Sequence, residues 1–259
     1  MHLEPLDYLP LWALFPATVV LIYAAIELGY ALGKIRRRAL EIEKEATVGP
    51  IVGATLGLLA FMLAFTFGLA ATRFDARRQI VVEEANAVGT AYLRAGLLPE
   101  PHTKKIRGLL ETYVRVRLES VQAGNIDRVL TESTTLHSRL WDQAEEVAKQ
   151  DSHSINTGLF IQSLNEVIDL HSKRVHVGLR SRVPVILWLT LYLVAVFSVM
   201  QLGYQAGLSA SRRSPAGVTF VLIFSLVILL IADLDRPHEG LVRVSQQAMQ
   251  DLQNSWTSP

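Results

Sequence analysis

Four stretches of this sequence stay apolar over the length a membrane-spanning helix requires, about 20 residues. They run Leu9–Gly33, Pro50–Thr72, Val183–Gly207 and Pro215–Ala232. No other feature constrains the fold so strongly. Hydrocarbon offers the backbone no hydrogen-bond partner, so each stretch must satisfy its amides internally as a helix. Composition agrees: the 259 residues are 50% hydrophobic and only 19% charged, with a mean hydropathy of +0.29. That is too apolar for an ordinary soluble domain. The first stretch reads as a retained helix rather than a cleaved signal. Its leader "MHLEPLD" is acidic, the apolar part is too long, and no small-x-small cleavage site follows.

The spans divide the chain. Residues 1–72 hold spans one and two with a basic link at 34–49, 73–182 form a polar middle, 183–235 hold spans three and four, and 236–259 are a polar C-terminal tail. The middle reads as helical. "RRQIVVEEANAVGTAYLR" sets Ile80, Ala87, Ala91 and Leu93 among charges with no strand-like alternation, and Gly96, Pro99 and Pro101 in "GLLPEP" end it. A second helix is expected over about His102–Ala123, with Ile106, Leu109, Leu110, Tyr113 and Val114 on its apolar face, until "GNID" breaks it. A third is expected from about Ser133 to Lys149. "DSHS" then caps a fourth, which starts near Asn156, continues to about Arg180 and is interrupted by Pro184. The fold class is therefore all-α: four transmembrane helices with a helical soluble domain inserted between the second and third.

Several functional classes are excluded or unsupported. A net charge of +1, with no Lys/Arg cluster interleaved with aromatics, argues against nucleic acid. Cysteine is absent, which removes disulfides, thiolate nucleophiles and cysteine metal sites. His102, His137, His153, His171 and His176 include no i, i+4 pair, and no metal or other cofactor is implied. Glu83 and Glu84 are adjacent and so point to different helix faces. With no nucleophile elbow, zinc motif or phosphate-cradling loop, no catalytic residue is assigned.

Two constellations remain. Gly53, Gly57, Phe61 and Phe65 recur at four-residue intervals in "GATLGLLAFMLAF". Such glycines most often mark close helix packing, and the phenylalanines could simply be buried against a neighbour. The alternative is a lumen in which small residues open a vestibule and successive phenylalanine rings narrow it. Apolar rings can gate by dewetting, and their electropositive edges can face an anion. The second constellation is charge at the span ends: Arg73 and Asp75 after span two, and Asp233, Asp235 and Arg236 in "ADLDRPHEG" after span four. Its plain reading is a polar stop. A hard-cation site would need oxygen ligands at regular spacing, which these acids and Glu239 lack. They are expected to orient the end of span four rather than to hold calcium tightly.

With those residues in view, "AFMLAFTFGLAATRFD" resembles the second membrane helix of the bestrophins, where F-x-L-x-F precedes a Thr-Arg-aromatic ending. Phe61 and Phe65 fall on the phenylalanines of the channel neck, Gly57 on a position usually aliphatic, and Thr72, Arg73 and Phe74 on the Thr-Arg-Trp ending. The sequence is more similar still to a bacterial family of bestrophin-like membrane proteins, through "RFDARRQIVVEEANAVGTAYLR" followed by "LLP", and "DLDRP" followed by "GLVRVS". The bestrophin segment after the fourth span leads into an acidic calcium clasp. Here Pro237 is followed by His238 and Glu239, with no acidic run beyond.

The resemblance implies a multi-pass protein of the bacterial inner membrane that assembles with itself as a pentamer in the lipid bilayer and passes ions, anions in particular. The second helices would surround the axis, with Gly53, Gly57, Phe61 and Phe65 lining the pore. It also implies a cytoplasmic middle domain. Charge does not decide the side: "KIRRRALEIEKE" holds five Lys/Arg, but Arg73, Arg77, Arg78, Lys173, Arg174, Arg180 and Arg182 crowd the opposite face. If the domain lay outside, the chain would read instead as a membrane signalling or accessory protein whose helical domain binds a ligand or partner.

Overall fold

The computed structural model describes residues 9–38, 45–123, 126–209, 215–236 and 240–257. The basic link, the "SRRS" before span four, and Pro237, His238 and Glu239 fall wholly or partly outside that range. Among the described residues there is no strand. The helices are α1 (Leu11–Arg38), α2 (Glu45–Ala95), α3 (His102–Ala123), α4 (Ile126–Gln150), α5 (Ile155–Val175), α6 (Val185–Leu208), α7 (Pro215–Asp235) and α8 (Gln247–Thr257). Four contain stretches apolar and long enough to cross a membrane: α1, α2, α6 and α7. Helix α2 is 51 residues long and takes in span two and the first helix expected of the polar middle.

The chain forms two compact units, Met1–Phe74 with Arg182–Arg243, and Asp75–Ser181 with Val244–Pro259. In the first, α1 packs chiefly along α6 and secondarily along α7. Its core is aliphatic, with Ile22, Leu191, Ala195, Val199, Ile228 and Ile231 fully buried. Side-chain hydrogen bonds pin helices inside it. Thr18 Oγ1 lies 2.9 Å from the Tyr192 hydroxyl, and Thr55 Oγ1 donates to Gln201 Oε1 at 2.9 Å. Such bonds remove polar groups that lipid would otherwise leave unsatisfied.

The second unit is a helical bundle around Val88, Ala91, Ile106, Leu110, Tyr113, Val114, Leu140, Phe160, Leu164 and Val167. Ile106, Leu110, Tyr113 and Val114 lie at i, i+4, i+7 and i+8, the stripe a buried helix face requires. Ser154 caps α5 by accepting from the Thr157 amide at 3.3 Å. Beyond Val175 the helix widens into a π turn, His176–Arg180, before Pro184 opens α6.

Two elements differ from expectation. Helix α4 starts at Ile126, not near Ser133. The helix runs on through Thr131 and Thr135, whose hydroxyls bond back one turn to the Asp127 and Thr131 carbonyls, both at 2.9 Å. Val129, Leu136, Leu140, Ala144 and Val147 meanwhile supply a buried stripe. The second is the polar tail, which contains α8. Met249 is fully buried, and Trp256 stacks on Tyr92 with ring centroids 4.3 Å apart.

Candidate pore face and the polar networks of each unit

On α2, Phe61 and Phe65 are 66% and 54% exposed in the single chain. A Cβ added at Gly53 or Gly57 would meet no heavy atom within 4 Å. These glycines therefore do not serve packing within the single chain. The stripe of two small and two large side chains is an uncovered face.

Close packing is found elsewhere. Gly29 and Gly33 of α1 face Gly203 and Gly207 of α6, each pair four residues apart. A Cβ at Gly29 would collide with the Met200 carbonyl, at Gly33 with that of Tyr204, at Gly203 with that of Ile26, and at Gly207 with that of Tyr30. Backbone lies on backbone along this seam, which only glycine permits. The small-xxx-small pattern thus has two uses here, and the sequence alone does not separate them.

At the end of span four, Asp233, Asp235 and Arg236 are all nearly fully buried. Asp233 accepts the backbone amides of Leu241 at 2.8 Å and Val242 at 3.1 Å. The turn that brings them back passes through Gly240 at φ +125°, a conformation side chains rarely adopt, and a Cβ there would strike Asp233 Oδ1. Asp235 accepts the Val183 amide at 2.8 Å and Arg182 Nε at 3.2 Å, tying α7 to the entry of α6. Arg236 donates to the Leu9 carbonyl at 2.6 Å. Of the remaining interfacial residues, Arg73 has a buried Nη1 without a hydrogen-bond partner, and Asp75 is exposed.

A further polar network, in the second unit, brings together residues that sequence reading left scattered. Glu84 of α2 is fully buried. The Tyr113 hydroxyl of α3 donates to its Oε1 at 2.5 Å, and Arg117 Nε lies 3.3 Å from the same oxygen. Arg174 of α5 donates Nη1 to Glu84 Oε2 and, through Nη2 at 2.8 Å, reaches Gln246 Oε1 just before α8. Its neighbour Glu83 is on the surface side and pairs with Lys173 at 3.0 Å. Two imidazoles close the cluster. His171 Nδ1 is 3.4 Å from the Tyr113 hydroxyl, and the His137 ring stands edge-on to that of His171 with centroids 4.8 Å apart. Tyr113 has one proton and gives it to Glu84, so the His171 contact is a donation from Nδ1–H to the phenol oxygen. His137 Nε2 and Ser133 Oγ, one turn apart on α4, are buried without a hydrogen-bond partner.

The electrostatics follow from burial and charge. Burial opposes ionisation of Glu84, but Arg174, Arg117 and the Tyr113 hydrogen bond outweigh it and hold the carboxyl below its usual range. Burial, reinforced by Glu84, pushes the Tyr113 phenol well up. Burial, aided by Arg117, lowers His137 to about 4. Burial, Arg117 and the neighbouring His137 lower His171 to about 4. Both rings are neutral at pH 7. One sequence signal foreshadows the cluster. Glu84, Tyr113, Arg117, His137 and His171 sit in register with the apolar stripes of their helices, where exposed polar residues would not.

A family model, the Bestrophin-like domain, matches residues 19–249. Crystal structures of a bacterial bestrophin homolog from Klebsiella pneumoniae, each of a point variant, share the fold. One aligns with a TM-score of 0.67 at 14% identity, covering 92% of this chain and 97% of that one. Another gives 0.67 at 15%, covering 94% and 96%. A crystal structure described simply as that of a membrane protein gives 0.66 at 15%, covering 94% and 96%. No curated protein sequence matches the chain. At these identities the likeness to solved structures establishes the fold alone, whereas the family model spans both membrane hairpins and the helical insertion, and on that match the chain is a multi-pass membrane protein of the bestrophin-like family.

Proposed function

We propose that this chain is one subunit of a homo-oligomeric ion channel of the bacterial inner membrane, a pentamer passing anions, with α2 surrounding the axis. The observation that carries this reading is the uncovered stripe Gly53, Gly57, Phe61 and Phe65. A single copy cannot enclose a lumen, and rotational symmetry is what brings identical stripes together. In the ring, the glycines widen the mouth and the phenylalanines form a dry constriction whose electropositive edges face a partly dehydrated anion. The residues around Asp233 and Asp235 hold the end of α7 and leave their carboxylates engaged by amides and arginine rather than open to a cation.

The test is flux through proteoliposomes. Phe61→Ala with Phe65→Ala should raise ion flux severalfold by widening and wetting the neck. A double variant that assembles normally yet leaves both anion and cation flux at the protein-free level refutes the pore.

A further inference from the structure

The buried cluster of the second unit is not used by the pore reading and stands independently of it. Its composition is unusual for a helical core. Three charged side chains and two imidazoles meet there, drawn from α2, α3, α4 and α5. The described titratable and charged groups facing the histidines are Glu84 from α2, Tyr113 and Arg117 from α3, and Arg174 from α5. Lys173 on α5 is occupied by Glu83 at the surface. The C-terminal segment contributes only the amide of Gln246.

Within that set the charges do not cancel: Arg117 and Arg174 face one carboxylate, Glu84. The excess is tolerated because the carboxylate is shared, accepting from Tyr113 and both guanidiniums. Arg174 is the member that reaches outward, since one of its nitrogens holds Glu84 and another holds Gln246. The C-terminal segment is thus fastened to the core through Glu84. Met249, buried in the core, and Trp256, stacked on Tyr92, attach it as well.

We propose that the His137–His171 pair makes this fastening acid-labile, so that protonation of either ring beside Arg117 and Arg174 breaks the Arg174 bridge and releases α8 from the helical domain. Neither imidazole can charge without adding a third cation beside the one described carboxylate, in a medium that screens poorly. The two rings are also in edge contact, so charging one disfavours charging the other. Arg174 relieves the crowding most readily. It is partly exposed at the side chain, whereas Arg117 is more deeply buried. When Arg174 turns outward, it loses Glu84 and Gln246 together.

The direction follows from linkage. A histidine held below its unfolded pKa of about 6.5 stabilises the closed arrangement fully above that pH, and the stabilisation is lost as the pH falls toward 4. Released α8 lets both imidazoles regain water.

Amide hydrogen exchange on the full-length protein in detergent, corrected for the intrinsic pH dependence of exchange, reads this directly. Between pH 7.5 and 4.5, protection over residues 247–257 should fall at least tenfold, before residues 106–114 of α3 lose any. His137→Phe with His171→Asn, which keeps a group at the Nδ1 position but cannot charge, should change less than twofold over the same range. If the double variant does not fold, the wild-type profile decides. Wild-type protection of α8 that is independent of pH, or that is lost together with α3, overturns the proposal. So does a folded uncharged variant that retains the full pH dependence.

Discussion

The two units reach stability by opposite means. The membrane unit is closed by removing atoms: four glycines let α1 and α6 meet backbone to backbone. The helical insertion is closed around atoms that helix cores usually exclude, a carboxylate, two guanidiniums and two imidazoles. Lipid explains the first. Hydrocarbon supplies no hydrophobic drive between helices, so closeness of fit must provide the attraction. Water explains why the second is allowed. The apolar stripes of α3, α4 and α5 already drive assembly, leaving room for a polar knot that fixes register, although such a knot contributes little net stability and is costly to break.

The largest effect tests the knot. Glu84→Ala removes the carboxylate that Arg117 and Arg174 share, a loss expected to cost about 3–5 kcal/mol. Far-UV dichroism and limited proteolysis should show a membrane unit that still inserts and an insertion that is cleaved. A variant that resists proteolysis as well as wild type does would show that the knot is dispensable.

Next is pH. Both histidines are held near 4, against about 6.5 when unfolded. Stability of the insertion should therefore be flat above pH 6.5 and decline below it. The decline is on the order of 3 kcal/mol for the first ring to charge, at 1.36 kcal/mol per pKa unit. Apparent thermal midpoints of wild type and of His137→Phe/His171→Asn should diverge between pH 6.5 and 4.5 and coincide at pH 8. Parallel profiles would remove the histidines from the account.

The smallest effect sharpens the contrast inside the membrane unit. Gly203→Ala drives a methyl into the Ile26 backbone and should cost about 1–3 kcal/mol. Gly57→Ala meets open space and should be neutral or stabilising by up to about 1 kcal/mol through helix propensity. The same substitution is thus expected to have opposite signs on two stripes of identical pattern, measured as thermal midpoints in detergent. Equal losses at both positions would mean that the Gly53–Gly57 face is buried by packing rather than lining a lumen.

Much of this architecture was legible without coordinates, for identifiable reasons. A bilayer demands about 20 apolar residues per crossing, so the four spans declare themselves by length. Periodicity placed Ile106, Leu110, Tyr113 and Val114 on one face of α3, and Ser154 marked the start of α5. The start of α4 was placed late because "GNID" reads as a break, whereas a buried stripe that already includes Val129 carries the helix from Ile126. Helix α8 was hidden because few of its residues are apolar, and Met249 and Trp256 acquire meaning only against the core they meet.

What tertiary structure alone decided is which residues are neighbours. Gly53-x-x-x-Gly57 and Gly29-x-x-x-Gly33 are the same pattern, but one faces open space and the other faces Gly203 and Gly207 on a helix about 170 residues away, at helix contact distance. Glu84 and Glu83 are adjacent in sequence, and only the roughly 100° step of the helix, against two partner helices, sends one to Lys173 at the surface and the other to Tyr113, Arg117 and Arg174 inside. Periodicity assigns a residue to a face of its own helix. It carries no information about which distant face that one will meet, because the meeting is selected by the packing of all the helices at once.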